Sequence, residues 1–392
     1  MFYPSRILKV ASIVLAVSLA AAQPVWAQLK SDHDPSAAPS LQIDYEVFDI
    51  MLEAVVFEVG RSDRRPARTR TRRTGTRISL ENPSRYRYEG NRVSYHLLDD
   101  DQKAQIHAYR EDLEALPERI DFSRLSANEE LAYWLNLHNI VVIDELARRY
   151  PVRRLRRVEI DGHGFWDSPI VDVGARRISL NQIRFEIVGQ RWRDPRIMYG
   201  FFSGAVGGPT LQGEAFKGAR VWRQLDANAR EFVNALRGVE SSSFGFRVSP
   251  LYEEWSQTLF PVWPEDLRAH LASYAETGVY DALAIGGEPD LLTFDDSIAD
   301  VTNGIGRCGG TGALNVVSYG ESGAPSFVAP CSDLPAHAQT FVDVVIERRL
   351  ELLRRGRVGS VTIRDLPTED RGINLRPARR SPSSEANSPD AP

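Results

Sequence analysis

SANEELAYWLNLHNIVVIDELARRYP, residues 126–151, decides how this chain folds. Ser126 followed three positions later by Glu129 is a capping-box signature: the serine hydroxyl accepts from the Glu129 amide and the glutamate reaches back to the cap. Arg148 and Arg149 suit the negative end of a helix dipole, and Pro151 stops the helix. Between Leu131 and Ile143 the segment is apolar nearly all round, so the helix is predicted to be central and buried. Polar groups carried into such a helix need partners. Asn136 and Asn139 lie three apart and share a face, while His138 points elsewhere. The two asparagines either bond neighbouring backbone and fix the packing, or line a pocket.

Around this helix the chain alternates hairpins and amphipathic helices. Asp44–Val59 is apolar enough to pack as helix or strand. Arg85–Leu98 (RYRYEGNRVSYHLL) reads as a hairpin turning at Gly90-Asn91, and Ile170–Leu180 as a second one turning at Gly174-Ala175. Asp99–Leu116 has helical spacing at Ile106, Tyr109, Leu113 and Leu116, with Asp99, Asp100 and Asp101 as an acidic helix start. Helices are also predicted over Asn181–Arg191, Leu225–Leu236, Pro264–Thr277 and Ala336–Arg355, and short strands over Ile197–Phe202, Leu314–Ser318 and Val358–Ile363. Tyr252, Trp255, Leu259, Phe260 and Trp263 form an aromatic cluster that packs. Helices and hairpins interleave without the regular rhythm of a parallel sheet, which gives an α+β fold: a central buried helix in a single main domain with a C-terminal extension.

The ends point to export. Residues 1–27 combine Arg6 and Lys9, an apolar run over Val10–Ala22, and Val25-Trp26-Ala27 as a cleavage site, so they read as a signal peptide. The run is short of the about 20 residues a spanning helix needs, which sets cleavage above the alternative of an uncleaved anchor and leaves no stable membrane span afterwards. The expected location is periplasmic or secreted. There Cys308 and Cys331, the two cysteines of the chain, read as a disulfide, the alternative being two free thiols. Residues 28–84 are a lead-in whose Arg61–Arg77 stretch holds eight arginines, residues 286–370 a C-terminal subdomain containing the cysteine pair, and residues 371–392 a disordered tail. A net charge of −5 gives no general pull toward nucleic acid. Lysine occurs only at positions 9, 30, 103 and 217, so arginine dominance looks like coding bias and weakens any argument from an arginine cluster.

The order RVSYHLL, ELAYWLNLHNIVVIDELARRYP, ISLNQIRFEIV, DPRIMYGFFSGAVGGPTLQGEAF and LDANAREFV resembles the domain of unknown function 547 family over about residues 92–239, with a weaker echo at SPLYEEWSQTLF. That places the family domain within residues 85–285. The family pattern is a Val-Asp-Tyr strand, a W-I-N-x-Y-N helix, a strand into L-S-L-x-x-I-E-H, and a strand ending H-F-A-L-V-C-A-S-x-G-C-P. Its structural positions persist as Tyr95, Trp134, Asn136, Asn139, Leu180, Gly207, Pro209 and Leu211. Its reactive ones do not. Ser203 and Gly208 stand at the two cysteines, Ala205 at the serine between them, Met198 at the histidine, Arg184-Phe185 at the Glu-His pair, and His138 at the tyrosine.

The resemblance therefore implies an exported member whose reactive positions are lost, binding a small molecule, peptide or envelope component through Tyr95, Trp134, Asn136, Asn139, Gly207 and Pro209. The alternative is an envelope hydrolase or transferase in which Ser203 is served by His138 or His163, since a serine nucleophile requires a base. The seven histidines are scattered without metal-ligand spacing, so neither metal nor cofactor is expected. Asp161, His163 and Asp167 share one loop, which reads more simply as a turn anchored by Phe165 and Trp166.

Overall fold

The computed structural model describes residues 41–68, 82–242, 245–305, 318–319, 325–326 and 336–354. The expected signal peptide over residues 1–27, Cys308, Cys331, the expected strand over Val358–Ile363 and the expected tail over residues 371–392 lie outside the described residues, as does most of the expected strand over Leu314–Ser318. No described helix is long and apolar enough to cross a membrane.

The architecture is α+β, organised around one helix. Seven helices carry most of it: α1 (Glu46–Val55), α2 (Asp100–Glu114), α3 (Ala127–Arg149), α4 (Val221–Val233), α5 (Glu265–Tyr274), α6 (Thr277–Ala284) and α7 (Ala336–Arg354). Helix α3 is buried along nearly its whole length, from Glu129 to Ala147. Its cap is half of the expected box. Ser126 Oγ accepts from the Glu129 amide at 3.1 Å, while the Glu129 carboxylate turns away to the backbone of Ile43 and Gly218. The complete box sits instead at Asp99, whose side chain and Gln102 cap α2 reciprocally.

Helix α2 lies along α3 and is fixed to it by buried charge. The Arg110 guanidinium donates to Glu114 at 2.8 Å, Asp144 at 2.8 Å and Glu145 at 2.6 Å, and also to the Ile170 carbonyl. That carbonyl belongs to the hairpin of β1 (Pro169–Val173) and β2 (Arg176–Ser179), which forms where the sequence places it. Beyond the hairpin, Gln182–Val188 widens into a π-helix. A three-stranded sheet joins β3 (Val239–Ser242), β4 (Gly245–Val248) and β5 (Asp290–Leu291), antiparallel then parallel.

Two local expectations fail for the same reason, that side chains satisfy the backbone. The Arg85–Leu98 hairpin does not form. Arg92 is buried and curls back, donating to the carbonyls of Arg87, Glu89, Gly90 and Asn91. The Arg92–Val93 strand then pairs with Val56–Phe57, which follows α1. The expected strand over Ile197–Phe202 is instead a 3₁₀ turn over Pro195–Gly200. Asp194 caps it by accepting from the Arg196 amide at 2.9 Å, and Pro195 supplies a preset φ at the first position.

Within the expected Arg61–Arg77 loop, three of the four described arginines are tied down. Arg61 pairs with Glu276, Arg65 with Asp63 and Glu351, and Arg64 donates to the carbonyls of Asn234 and Val239 at 3.0 Å each. The aromatic cluster packs as expected, with Tyr252, Trp255 and Phe260 all buried.

Candidate functional site

The stretch Gly200–Phe216 (GFFSGAVGGPTLQGEAF) is held at both ends by α3. Asn139 donates to the Gly200 carbonyl at 3.0 Å and accepts from the Phe202 amide at 2.9 Å. One turn earlier, Asn136 donates to the Phe216 carbonyl at 2.8 Å and accepts from its amide at 2.9 Å. Asn228 on α4 adds a bond to the Tyr199 carbonyl at 3.1 Å. Each α3 asparagine thus imitates a strand neighbour, bonding backbone donor and acceptor together, and the three-residue spacing sets the distance between the loop's ends.

Between these clamps the loop is covered over Gly204–Gly207, while Ser203 and residues 212–214 stay partly exposed. Residues 295–299 run along it: the Val206 amide donates to the Ser297 carbonyl at 2.8 Å, the Gly207 amide to the Asp295 carbonyl at 2.9 Å, and the Ala299 amide to the Gly204 carbonyl at 2.8 Å. A Cβ at Gly207 would meet the Asp295 amide at 2.7 Å, so only glycine allows this approach. Gly208 is required on the inner side, because a Cβ there would fall on the Ser203 side chain. Arg237 also reaches the loop, donating to the Gly208 carbonyl at 3.2 Å from a fully enclosed position.

Ser203 spends its hydroxyl within this loop. Oγ donates to the Ala205 carbonyl at 3.1 Å and accepts from the Ala205 amide at 3.2 Å. Neither His138 nor His163 is among its hydrogen-bond partners. His163 sits on an exposed two-residue strand, His163–Gly164. His138 is wholly buried on α3, stacked on Trp166 at 6.0 Å and edge-on to Phe201 at 4.8 Å. Its Nδ1 lies 3.1 Å from Asn139 Oδ1. Burial, reinforced by the charge of Arg184, pushes this imidazole down to about 3, against the opposing effect of the Asn139 bond. A general base works best with a pKa near the operating pH, and this one is far below it.

The other expected site residues are placed as follows. Trp134 is buried, edge-on to Tyr133 at 5.0 Å. Tyr95 stacks on Tyr150 at 5.9 Å and its hydroxyl is buried without a partner among the described residues. Pro209 is buried beside Gly207. Asn136 and Asn139 line neither of the two described cavities. One cavity, lined by Arg87, Tyr88, Arg92, Asp300, His337 and Phe341 among others, touches the loop only at Val206. The other, of 370 Å³, is an open groove that meets the covering segment at Asp295, lined by residues 82–86, Arg154, Arg247 and residues 293–295.

This constellation spans one stretch of the chain. Residues 122–233 match the family described as Protein of unknown function, DUF547. No curated protein and no solved structure matches the chain. The DUF547 segment is narrower than the 92–239 expected from motifs. It opens at the short helix before α3 and closes at the end of α4, so it contains both asparagine clamps and the whole Gly200–Phe216 loop. The segment that covers the loop, residues 295–299, lies outside it.

Sequence reasoning missed three groups. The first is Arg184, carried in the apolar run IRFEIV, where an arginine at the family's glutamate position was the available signal. The second is the covering segment itself, within DDSIADV, which no local pattern links to the loop. The third is the groove. Arg85 and Arg247 share Glu240 at 2.6 Å each, and Arg154 and Arg156 share Asp296 at 2.5 and 3.0 Å. Arg85, Arg154 and Arg247 line the groove itself, and in a chain so rich in arginine these three did not stand out.

Proposed function

We propose that the protein is an exported, non-catalytic binding protein that uses its DUF547 segment as a rigid frame and takes its ligand in the arginine-lined groove beside it. The observation that carries this reading is the state of the loop. Its serine bonds its own backbone, its asparagines are committed to the chain, and its outer edge is covered by residues 295–299.

The groove supplies what the loop lacks. Three arginines line it: Arg85 and Arg247 share Glu240, and Arg154 faces Asp296 at 2.5 Å and Asp295 at 3.8 Å, so the guanidiniums are held in place by carboxylates, with Tyr86 and the partly exposed Phe294 beside them. Arginine forks of this kind recognise carboxylate or phosphate. The ligand class is therefore an acidic peptide or an acidic glycan of the envelope.

The mature chain from Gln28 is expected to bind hexaglutamate or a uronic-acid oligosaccharide in titration calorimetry, more weakly as salt rises. Replacing Arg154→Gln and Arg247→Gln together removes two charge-assisted contacts of about 1.5 kcal/mol each or more. The dissociation constant should then rise roughly 100-fold. Binding that ignores the double substitution, or no binding to either probe, contradicts the assignment of the groove.

A further inference from the structure

We propose that His138, Arg184 and Trp255 form a buried binding site for a single hydroxyl group, a site separate from the groove and independent of the function assigned to it. The observation behind it is a closed circuit of side-chain contacts. His138 stacks on Trp166 at 6.0 Å, and the Arg184 Cζ lies 5.2 Å from the Trp166 ring and 5.8 Å from the Trp255 ring. Trp255 stacks on Phe201 at 6.0 Å, and Phe201 returns to His138 at 4.8 Å. On this circuit sit three buried polar atoms with no partner among the described residues: His138 Nε2, Arg184 Nε and Trp255 Nε1. Buried polar atoms are nearly always satisfied, and three orphans on one ring point to a guest.

The chemistry of the guest follows from the protons. Asn139 has its orientation fixed, because its amide nitrogen must donate to Gly200 and its oxygen must accept from Phe202. That oxygen can only accept from His138, so Nδ1 carries the proton and Nε2 presents a bare lone pair. Arg184 Nε and Trp255 Nε1 are donors only. The guest must accept twice and donate once. A hydroxyl does both; an anion has no proton for Nε2, and an ammonium has no lone pair for the two N–H groups. Water is the smallest such guest, and the terminal hydroxyl of a small alcohol offers the same pattern.

Local structure keeps the ring in place and suggests where it opens. Arg184 lies in the π-helix, a widened turn that often marks functional positions. Its remaining nitrogens bond Asn181 at 3.1 Å and Glu254 at 2.8 Å. Glu254 is half exposed and Trp166 only partly buried, so the ring comes nearest to solvent on the side of Arg184 and Trp166. Gly189 lets Trp255 close in, since a Cβ there would meet its ring at 2.9 Å.

The test is a high-resolution crystal structure of the mature chain near neutral pH, in water, in methanol and in bromide, with imidazole nitrogen NMR in solution. The expected result is one oxygen peak within hydrogen-bond distance of all three atoms, and a His138 spectrum of the Nδ1–H tautomer. A peak present in water assigns the site to water; a peak seen only with methanol assigns it to an alcohol hydroxyl. Trp255→Phe and Arg184→Met should each lose the peak while the tautomer persists. A bromide peak in the ring, an Nε2–H tautomer, or no peak in water or methanol overturns the proposal.

Discussion

Asn139→Leu is expected to remove a large part of the stability of this protein. Leucine keeps the branched shape but leaves three buried groups without partners: the Gly200 carbonyl, the Phe202 amide and the Nδ1 proton of His138. Each buried group so stranded costs about 1–3 kcal/mol, giving about 3–9 kcal/mol in all. Total stabilities of natural domains run to only about 5–15 kcal/mol, so the variant should unfold at much lower urea. Asn139→Asp retains the acceptor for Phe202 and His138 but sets a buried carboxylate against the Gly200 carbonyl, so at neutral pH it too should lie well below the parent. Urea midpoints of the two variants and the parent give the ordering. An Asn139→Leu variant within about 1 kcal/mol of the parent contradicts the clamp.

Acid should destabilise the protein through His138. Its imidazole is pushed down to about 3 in the folded chain, against an ordinary value of 6.5. Between those two values the unfolded chain binds a proton that the folded chain refuses. The contribution is therefore fully present above pH 6.5 and is lost as pH falls toward 3. The slope is about 1.4 kcal/mol per pH unit for this one group. Other buried groups oppose it, since burial raises Glu130 to about 7, so the histidine is best isolated by difference. Subtracting the stability profile of His138→Leu from that of the parent should leave this slope between pH 6 and 4. The ring-proton NMR signals of His138 should also show no titration down to pH 5. A midpoint near 6.5 would show that the imidazole is not sealed as described.

What could be read from residues alone divides along a physical line. Helix α3 was legible because its cap, its apolar run and its Pro151 stop are all local. So was the hairpin turning at Gly174-Ala175. The asparagines were half legible: their spacing placed them on one face, but their partners, Gly200, Phe202 and Phe216, lie more than 60 positions away along the chain. The Arg85–Leu98 and Ile197–Phe202 readings failed because Arg92 and the flanking Asp194 supply hydrogen bonds that strand pairing was expected to make. The covering of the loop by residues 295–299 was illegible for the same reason in stronger form. It depends on backbone pairing between distant segments, and Gly207 is conspicuous in sequence only as a turn glycine, although Asp295 is what presses on it.

For the site, the motifs brought attention to Ser203, His138 and the asparagines, and each has a defined place. The serine and the histidine are both present, yet their hydrogen bonds run to different partners, Ala205 and Asn139. Composition hid the groove, since three of many arginines carry no mark that sets them apart.

The most direct test of the loop as a frame without reactive chemistry is the intact mass of the chain from Gln28 onward after exposure to a fluorophosphonate. A serine activated by a base is phosphonylated, whereas one bonded to its own backbone is not. An unchanged mass is the predicted result, identical for the parent and Ser203→Ala. A stoichiometric adduct on the parent that Ser203→Ala abolishes would contradict the account.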